Sequence, residues 1–318
     1  MKIFHNIPDN KNLFKNPVIT IGNFDGIHLG HRKILQVLLD KAKEVNGDAV
    51  ILTFSTHPKR VLNPDYPLKL ITTTDEKINA IFKLGISNII LLNFTEEMSN
   101  MTASDFLNDI LIKKLDIKEL IIGYDHAFGK NREGDMGFLK ESARAADIGI
   151  TRVEELDILD KPCSSTWIRK EVELGHMEFT SQLLGRPYSL SGVVIHGHGR
   201  GKKFGYPTAN ITPDHPDKLI PPAGVYAVTT ELTSAYVGKT HKHKGMMYIG
   251  TQPTFAEHET FLEIHIFDFE ANLYDLDITV HFHKQIRKEI KFDSKDDLII
   301  QLEKDEVLVK KALEHITI

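Results

Sequence analysis

Between residues 18 and 153, short apolar runs alternate with stretches of helical period, and this alternation restricts the fold more than any other feature. Residues 18–21, 50–54, 88–94, 119–123 and 150–153 read as strands. Between them lie four helical stretches. One carries Ile34, Leu35, Leu38, Ala42 and Val45 near one face. A second is opened by the capping box Thr73-Thr74-Asp75-Glu76 and ends before Gly85. The others cover 102–115 and 137–146. Continuously apolar strands separated by amphipathic helices predict an α/β fold, a parallel sheet covered on both faces. Ligands in such sheets sit at the carboxyl ends of the strands.

The second half has a different rhythm. Residues 188–196, 225–232, 246–249, 260–267 and 276–283 read as strands separated by glycine, proline or polar turns. No long helical pattern appears until Ser294, which caps a helix from 295 to about 315 with Asp297 in its first turn. This predicts a C-terminal antiparallel β-barrel with a terminal helix. The boundary falls near Leu184-Gly185, giving domains 1–184 and 185–318, and a length of 318 residues suits two domains.

Composition narrows the function classes. Hydrophobic residues make up 41% and charged residues 26%, as in soluble globular proteins. The apolar runs fall far short of the ~20 residues a membrane helix needs, and the first residues do not read as a signal peptide. A single cysteine, Cys163, excludes an intramolecular disulfide, and a cytoplasmic protein is expected. The net charge of −5 provides no basic field for a nucleic-acid backbone. Self-association is left open.

The segment Gly22-Asn23-Phe24-Asp25-Gly26-Ile27-His28-Leu29-Gly30-His31 follows the first strand and opens the first helix. Its glycines allow a tight turn and close approach of backbone to a ligand. A helix N-terminus offers free N–H groups and favours phosphate. His28 and His31, three apart, would share one side of the first turn and reach the same anion. Alone, such a pair is as readily a surface or metal pair. Further on, Ser164-Ser165-Thr166-Trp167-Ile168-Arg169 reads as a second helix start with hydroxyls and an arginine for phosphate, or as an ordinary cap. Cys163 beside it reads as a small buried residue rather than a nucleophile.

In the second half, Gly197 to Asn210 holds four glycines and three cations ahead of Pro207-Thr208-Ala209-Asn210. A mobile loop over phosphates and a plain turn are the two readings. Glu263, His265 and Phe267 share one face of an alternating strand. His241-Lys242-His243-Lys244 reads as a polar hairpin loop and His281-Phe282-His283 as a strand, neither as a metal site. Six of the sixteen histidines precede residue 185 and ten follow it, an excess these readings do not absorb.

The His-x-Gly-His signature, with 21–31, 53–58, 123–129 and 164–169, resembles the bacterial bifunctional riboflavin kinase/FMN adenylyltransferase family. Gly224-Val225-Tyr226, Ile249 to Phe255, Pro207 to Asn210 and Ile286 to Phe292 extend the resemblance nearly end to end. It implies a Rossmann-like nucleotidyltransferase domain that joins FMN to ATP, giving FAD and pyrophosphate, and a barrel that phosphorylates riboflavin. By the resemblance, His28, His31 and Arg169 are catalytic in the first domain. Gly22, Asn23, Phe24, Gly30, Ser164, Ser165 and Thr166 line its phosphate cradle, and His57 and Asp125 meet the flavin. In the second domain, Gly199, Lys202 and Gly205 belong to the ATP loop. Thr208 and Asn210 hold Mg²⁺ with ATP, Glu263 is the general base toward riboflavin's 5′-hydroxyl, and Arg287 meets the flavin. Tyr248 and Gln252 stand where the family commonly has asparagine and arginine. The implied partners are riboflavin, FMN, FAD and ATP, with no nucleic acid and no membrane. An adenylyltransferase whose barrel only binds flavin is the competing reading. A nucleic-acid-binding relative is a third, disfavoured by the charge.

Overall fold

In a computed structural model of the chain, the described residues are 2–8, 12–124, 128–196, 205–233, 240–253, 258–269 and 271–318. They form two compact units. The first comprises Met1–Leu68 and Thr74–Ser165; the second comprises Lys69–Thr73 and Thr166–Ile318.

The first unit is built on a parallel sheet of six strands: β1 (Lys2–Phe4), β2 (Val18–Ile21), β3 (Ala49–Phe54), β4 (Asn88–Leu92), β5 (Glu119–Gly123) and β6 (Gly149–Val153). Their order is β1-β4-β3-β2-β5-β6. Successive side chains alternate between the faces, and both faces are covered, as expected for continuously apolar strands. Ile19, Val50, Leu52 and Ile90 enter one core cluster, while Val18, Ile51, Ile89 and Ile121 enter another. The second cluster receives Leu35, Leu38 and Ala42 from the helix Leu29–Glu44, the face predicted from their spacing. The order runs from β2 through β3 to β4 on one side and from β5 to β6 on the other. The carboxyl ends of β2 and β5 therefore flank the crevice where such sheets bind ligands.

Two differences from expectation appear here. β1 was not anticipated, because three residues are too few to show a period. The helix expected over 102–115 is one turn, Ala103–Asp105, running into a π-helix, Phe106–Ile112, whose wider turn buries Phe106, Leu107, Ile110 and Leu111. A small antiparallel pair, β7 (Asp157–Ile158) and β8 (Lys161–Pro162), precedes the unit boundary.

The second unit is a closed antiparallel barrel of β9 (Tyr188–Ile195), β10 (Ala209–Pro213), β11 (Gly224–Thr233), β12 (Thr240–Pro253), β13 (His258–Ile266) and β14 (Asp277–Lys288). The strands follow the order β10-β13-β12-β11-β14-β9. β10 was not anticipated as a strand; it pairs with both β9 and β13. The histidine–lysine run 241–244, expected in a hairpin loop, lies inside β12 instead. There it pairs with β11, His243 opposite Thr230 and Lys242 opposite Glu231, and Lys242 Nζ sits 3.3 Å from the Glu231 carboxylate. A cross-strand ion pair and period-2 alternation make this polar run a strand. The terminal helix, Lys295–Ala312, is capped by Ser294, whose Oγ accepts from the Asp297 N–H at 3.1 Å. Its Val309 and the following Leu313 pack on Val225, Ala227 and Met246 of the barrel.

The segment Lys69–Thr73 is held within this second unit by main-chain and side-chain bonds. The Leu70 N–H donates to Asp217 O, and the Leu219 N–H donates to Leu70 O. The buried Lys218 ammonium donates to Ile71 O at 2.7 Å and lies 4.8 Å from the Tyr188 ring centre.

Candidate functional sites

The first site starts at the end of β2. His28 is the N-cap of the helix Leu29–Glu44, and its Nδ1 accepts from the His31 N–H at 3.3 Å. An acceptor Nδ1 places the ring proton on Nε2. The His28 and His31 rings stack with centroids 3.6 Å apart, and Phe24 meets His31 edge-on at 5.2 Å. The i, i+3 spacing thus brings the two imidazoles to one side of the first turn. Burial pushes His31 well below the ordinary imidazole range, aided by His28 and Lys77, so at neutral pH it is an uncharged N–H donor. Gly30 must stay small, since a Cβ there would lie 3.2 Å from both the Cys163 carbonyl and the His28 ring. Cys163 is buried with its Sγ 3.7 Å from His28 Nδ1, and burial pushes its thiol up, so it is a packing residue.

Beside this turn lies a cleft of about 640 Å³ at the carboxyl ends of the strands. Gly22 and Asn23 line one wall and Phe54, Phe94, Phe106 and Phe128 supply aromatic surface. His57 caps the short helix Pro58–Leu62, its Nδ1 accepting from the Lys59 N–H, while Pro58 and Leu62 reach the cleft. Ser165 Oγ donates to Asp25 O at 2.8 Å, which ties it to the glycine turn. Ser164 lies half-buried ahead of the helix Ser165–Glu173. Thr166 is exposed and Arg169 donates from Nε to Lys69 O at 2.8 Å; both belong to the second unit. Asp125 lies outside the described residues.

The second site gathers on the barrel. Thr208 Oγ1 donates to Glu263 Oε2 at 3.3 Å, and Asn210 is the direct cross-strand partner of Glu263. Three residues separated by up to 55 positions are thereby set side by side by the pairing of β10 with β13. Two clefts share Thr208. One, of about 330 Å³, is lined by Glu263, Met246, Tyr248, Arg287 and Phe292. The other, of about 470 Å³, is lined by Ile264, Ile266, Phe269, Asn272 and Tyr274, and Tyr274 stacks on His196 at 3.7 Å. Arg287 is locked: its Nη2 lies 2.7 Å from Asp305 Oδ2 and its Nε donates to Oδ1 at 3.0 Å. Tyr248, where an asparagine was the family expectation, donates to Glu289 Oε1 at 2.7 Å, so its ring walls the cleft. Gly199 and Lys202 lie outside the described residues, and the exposed Gly205 has a left-handed φ of +81°.

Residues 10–167 match the FAD synthetase family model, and residues 184–313 match the riboflavin kinase model. The bifunctional riboflavin kinase/FMN adenylyltransferase of Buchnera aphidicola subsp. Schizaphis graminum is 40% identical over 315 residues, covering 98% of both chains. The chain belongs to the bifunctional riboflavin kinase/FMN adenylyltransferase family. The protein of that name from Bacillus subtilis is 35% identical and covers 91% of this chain and 90% of its own. A crystal structure of a Streptococcus pneumoniae protein named as a macrolide-efflux protein superposes with a TM-score of 0.87 at 30% identity, over 97% of this chain and 98% of that one. Among the described residues here, no helix is long and apolar enough to cross a membrane.

In this member of the bifunctional riboflavin kinase/FMN adenylyltransferase family, several residues at the sites carried no sequence signal. Lys77 is buried and donates to Asn23 O and Phe54 O at 3.1 and 2.7 Å. Asp25, inside the glycine turn, is buried, and Asp305 is fully buried behind Arg287. Each is a charged residue in an amphipathic or polar stretch, where charge ordinarily reads as a solvated face. Burial beside a loop carbonyl is a tertiary fact with no local pattern.

Proposed function

We propose that this enzyme makes FMN from riboflavin and ATP on the barrel (residues 185–318) and FAD from FMN and ATP in the first domain (1–184). The observation that carries the reading is the Thr208–Glu263 hydrogen bond at the meeting point of two clefts, with Asn210 paired alongside. One cleft offers aromatic and aliphatic walls and Arg287 for a flavin. The other, with the Tyr274–His196 stack at its edge, suits a nucleotide. Glu263 takes the proton from riboflavin's 5′-hydroxyl as that oxygen attacks the γ-phosphorus of ATP and ADP leaves. The Thr208 hydroxyl and the Asn210 amide oxygen are hard oxygen donors and fit Mg²⁺. When bound with ATP, that ion neutralises phosphate charge.

In the first domain the phosphate of FMN, already anionic, needs no base. Its oxygen forms a bond to the α-phosphorus and pyrophosphate leaves. His28 and the neutral His31, with the N-terminus of the helix Leu29–Glu44, donate N–H groups to the charge that develops there. The phenylalanine-lined cleft takes the flavin ring; the family resemblance assigns His57 and Asp125 to the flavin, and Arg169, Ser164 and Thr166 to phosphate. The reaction belongs in the cytoplasm, where a lone thiol stays reduced. Chromatography of products from riboflavin, ATP and Mg²⁺ tests the proposal. Sequential appearance of FMN and FAD is expected. If only added FMN is converted, the kinase assignment fails.

A further inference from the structure

The turn that carries the first site follows a strained path. Phe24 and Ile27 are non-glycine residues with φ of +51° and +43°, and Gly26 between them has φ of +90°. A β-branched side chain in that region is disfavoured, and such strain persists only where surrounding structure over-determines it. Two observations show what does so. Phe24 and Ile27 are 3% and 2% exposed, anchored in the core. The carbonyls of the turn are gripped from outside: Thr53 Oγ1 donates to Asn23 O at 3.3 Å, Ser165 Oγ to Asp25 O, and Lys77 Nζ to Asn23 O.

Lys77 is the costly member of this set. It lies in the first turn of the helix Thr74–Lys83, where the dipole opposes a cation, and it is 5% exposed. Core packing alone would be served as well by methionine. Its second bond, to Phe54 O, joins the turn to the end of β3.

We propose that Lys77 is a positioning residue for adenylyl transfer, holding the 23–27 turn in the left-handed path that aims His28, His31 and the helix N-terminus at the ATP phosphates. Asp25 faces its ammonium and His31 feels its charge. Burial pulls it down to about 8, so it is still a cation at pH 7. Burial first, then His28, and then this charge keep a proton off His31. This inference rests on the adenylyl-transfer reading of the site.

The test is steady-state FAD formation from FMN and ATP with the full chain, with riboflavin phosphorylation as an internal reference for folding. Lys77→Met should raise KM for ATP at least tenfold in FAD formation, leaving riboflavin phosphorylation within twofold of the parent. A residue that only stabilises the fold would lower kcat by losing active molecules without changing KM. A KM for ATP within twofold of the parent in the folded variant therefore overturns the proposal. If Lys77→Met does not fold, Thr53→Val, which removes the other side chain on the same carbonyl, decides: a threefold rise in KM supports the proposal, and an unchanged KM overturns it. A parent that makes no FAD from FMN overturns the adenylyl-transfer reading itself, and Lys77's role with it.

Discussion

Two imidazole rings stacked 3.6 Å apart cannot both carry a proton cheaply, and the first site uses this. His31 is held neutral by burial first, then by His28 and Lys77. His283 on the barrel behaves similarly for a structural end. Burial and the neighbouring His281 hold it down to about 4, and its Nε2 lies 2.9 Å from Thr229 Oγ1. The unfolded chain takes up a proton near pH 6.5 that the folded barrel refuses until about pH 4. Stability is therefore present above pH 6.5 and declines as pH falls through that window. Thermal melts should show a midpoint that drops between pH 7 and pH 5. His283→Gln should flatten that dependence, and an equally steep profile in the variant would contradict it.

At the scale of elements, helix starts and stops were legible because caps are local chemistry. The helix Thr74–Lys83 begins within the Thr73–Glu76 run, and Ser294 caps Lys295–Ala312. β10 and the 241–244 run were not legible, since each is a strand only because a partner strand lies beside it. The terminal helix also depends on a long-range pair that no local pattern announces. Arg287 on β14 grips Asp305, which is fully buried and also accepts from Gln301 Nε2 at 2.8 Å. Asp305→Ala leaves a guanidinium without its carboxylate, an outcome that costs about 3–5 kcal/mol when the remaining partner is buried. Arg287 keeps 18% of its side-chain surface exposed, so the lower end is expected. Denaturant midpoints of parent and variant check the figure. Because Arg287 lines the cleft proposed for the flavin, KM for riboflavin should rise in the same variant.

For the whole molecule, two units with separate clefts predict separable chemistry. His31→Ala should lower FAD formation by about 10²–10³-fold, the usual cost of a lost transition-state donor, and leave FMN formation unchanged. Glu263→Ala should lower FMN formation by about 10²–10⁴-fold, the range for a general base, while FAD still forms from supplied FMN. Loss of both activities in either folded variant would refute the two-site arrangement. The overall plan was legible from rhythm alone, apolar strands between helices and then strands between turns. Groupings of candidate-site residues were legible where spacing is short, as at the stacked His28 and His31. The Thr208–Glu263 pair drew on family resemblance, since its members lie 55 residues apart.

The segment Lys69–Thr73 complicates any attempt to cut the chain into its halves. It comes early in the chain, yet Ile71 supplies the acceptor for the buried Lys218 ammonium of the barrel unit. A barrel expressed from residue 185 onward would keep that cation and lose its carbonyl, along with the Leu70 bridge beside it. The second unit is thus assembled from two separate stretches of the chain rather than from one continuous piece.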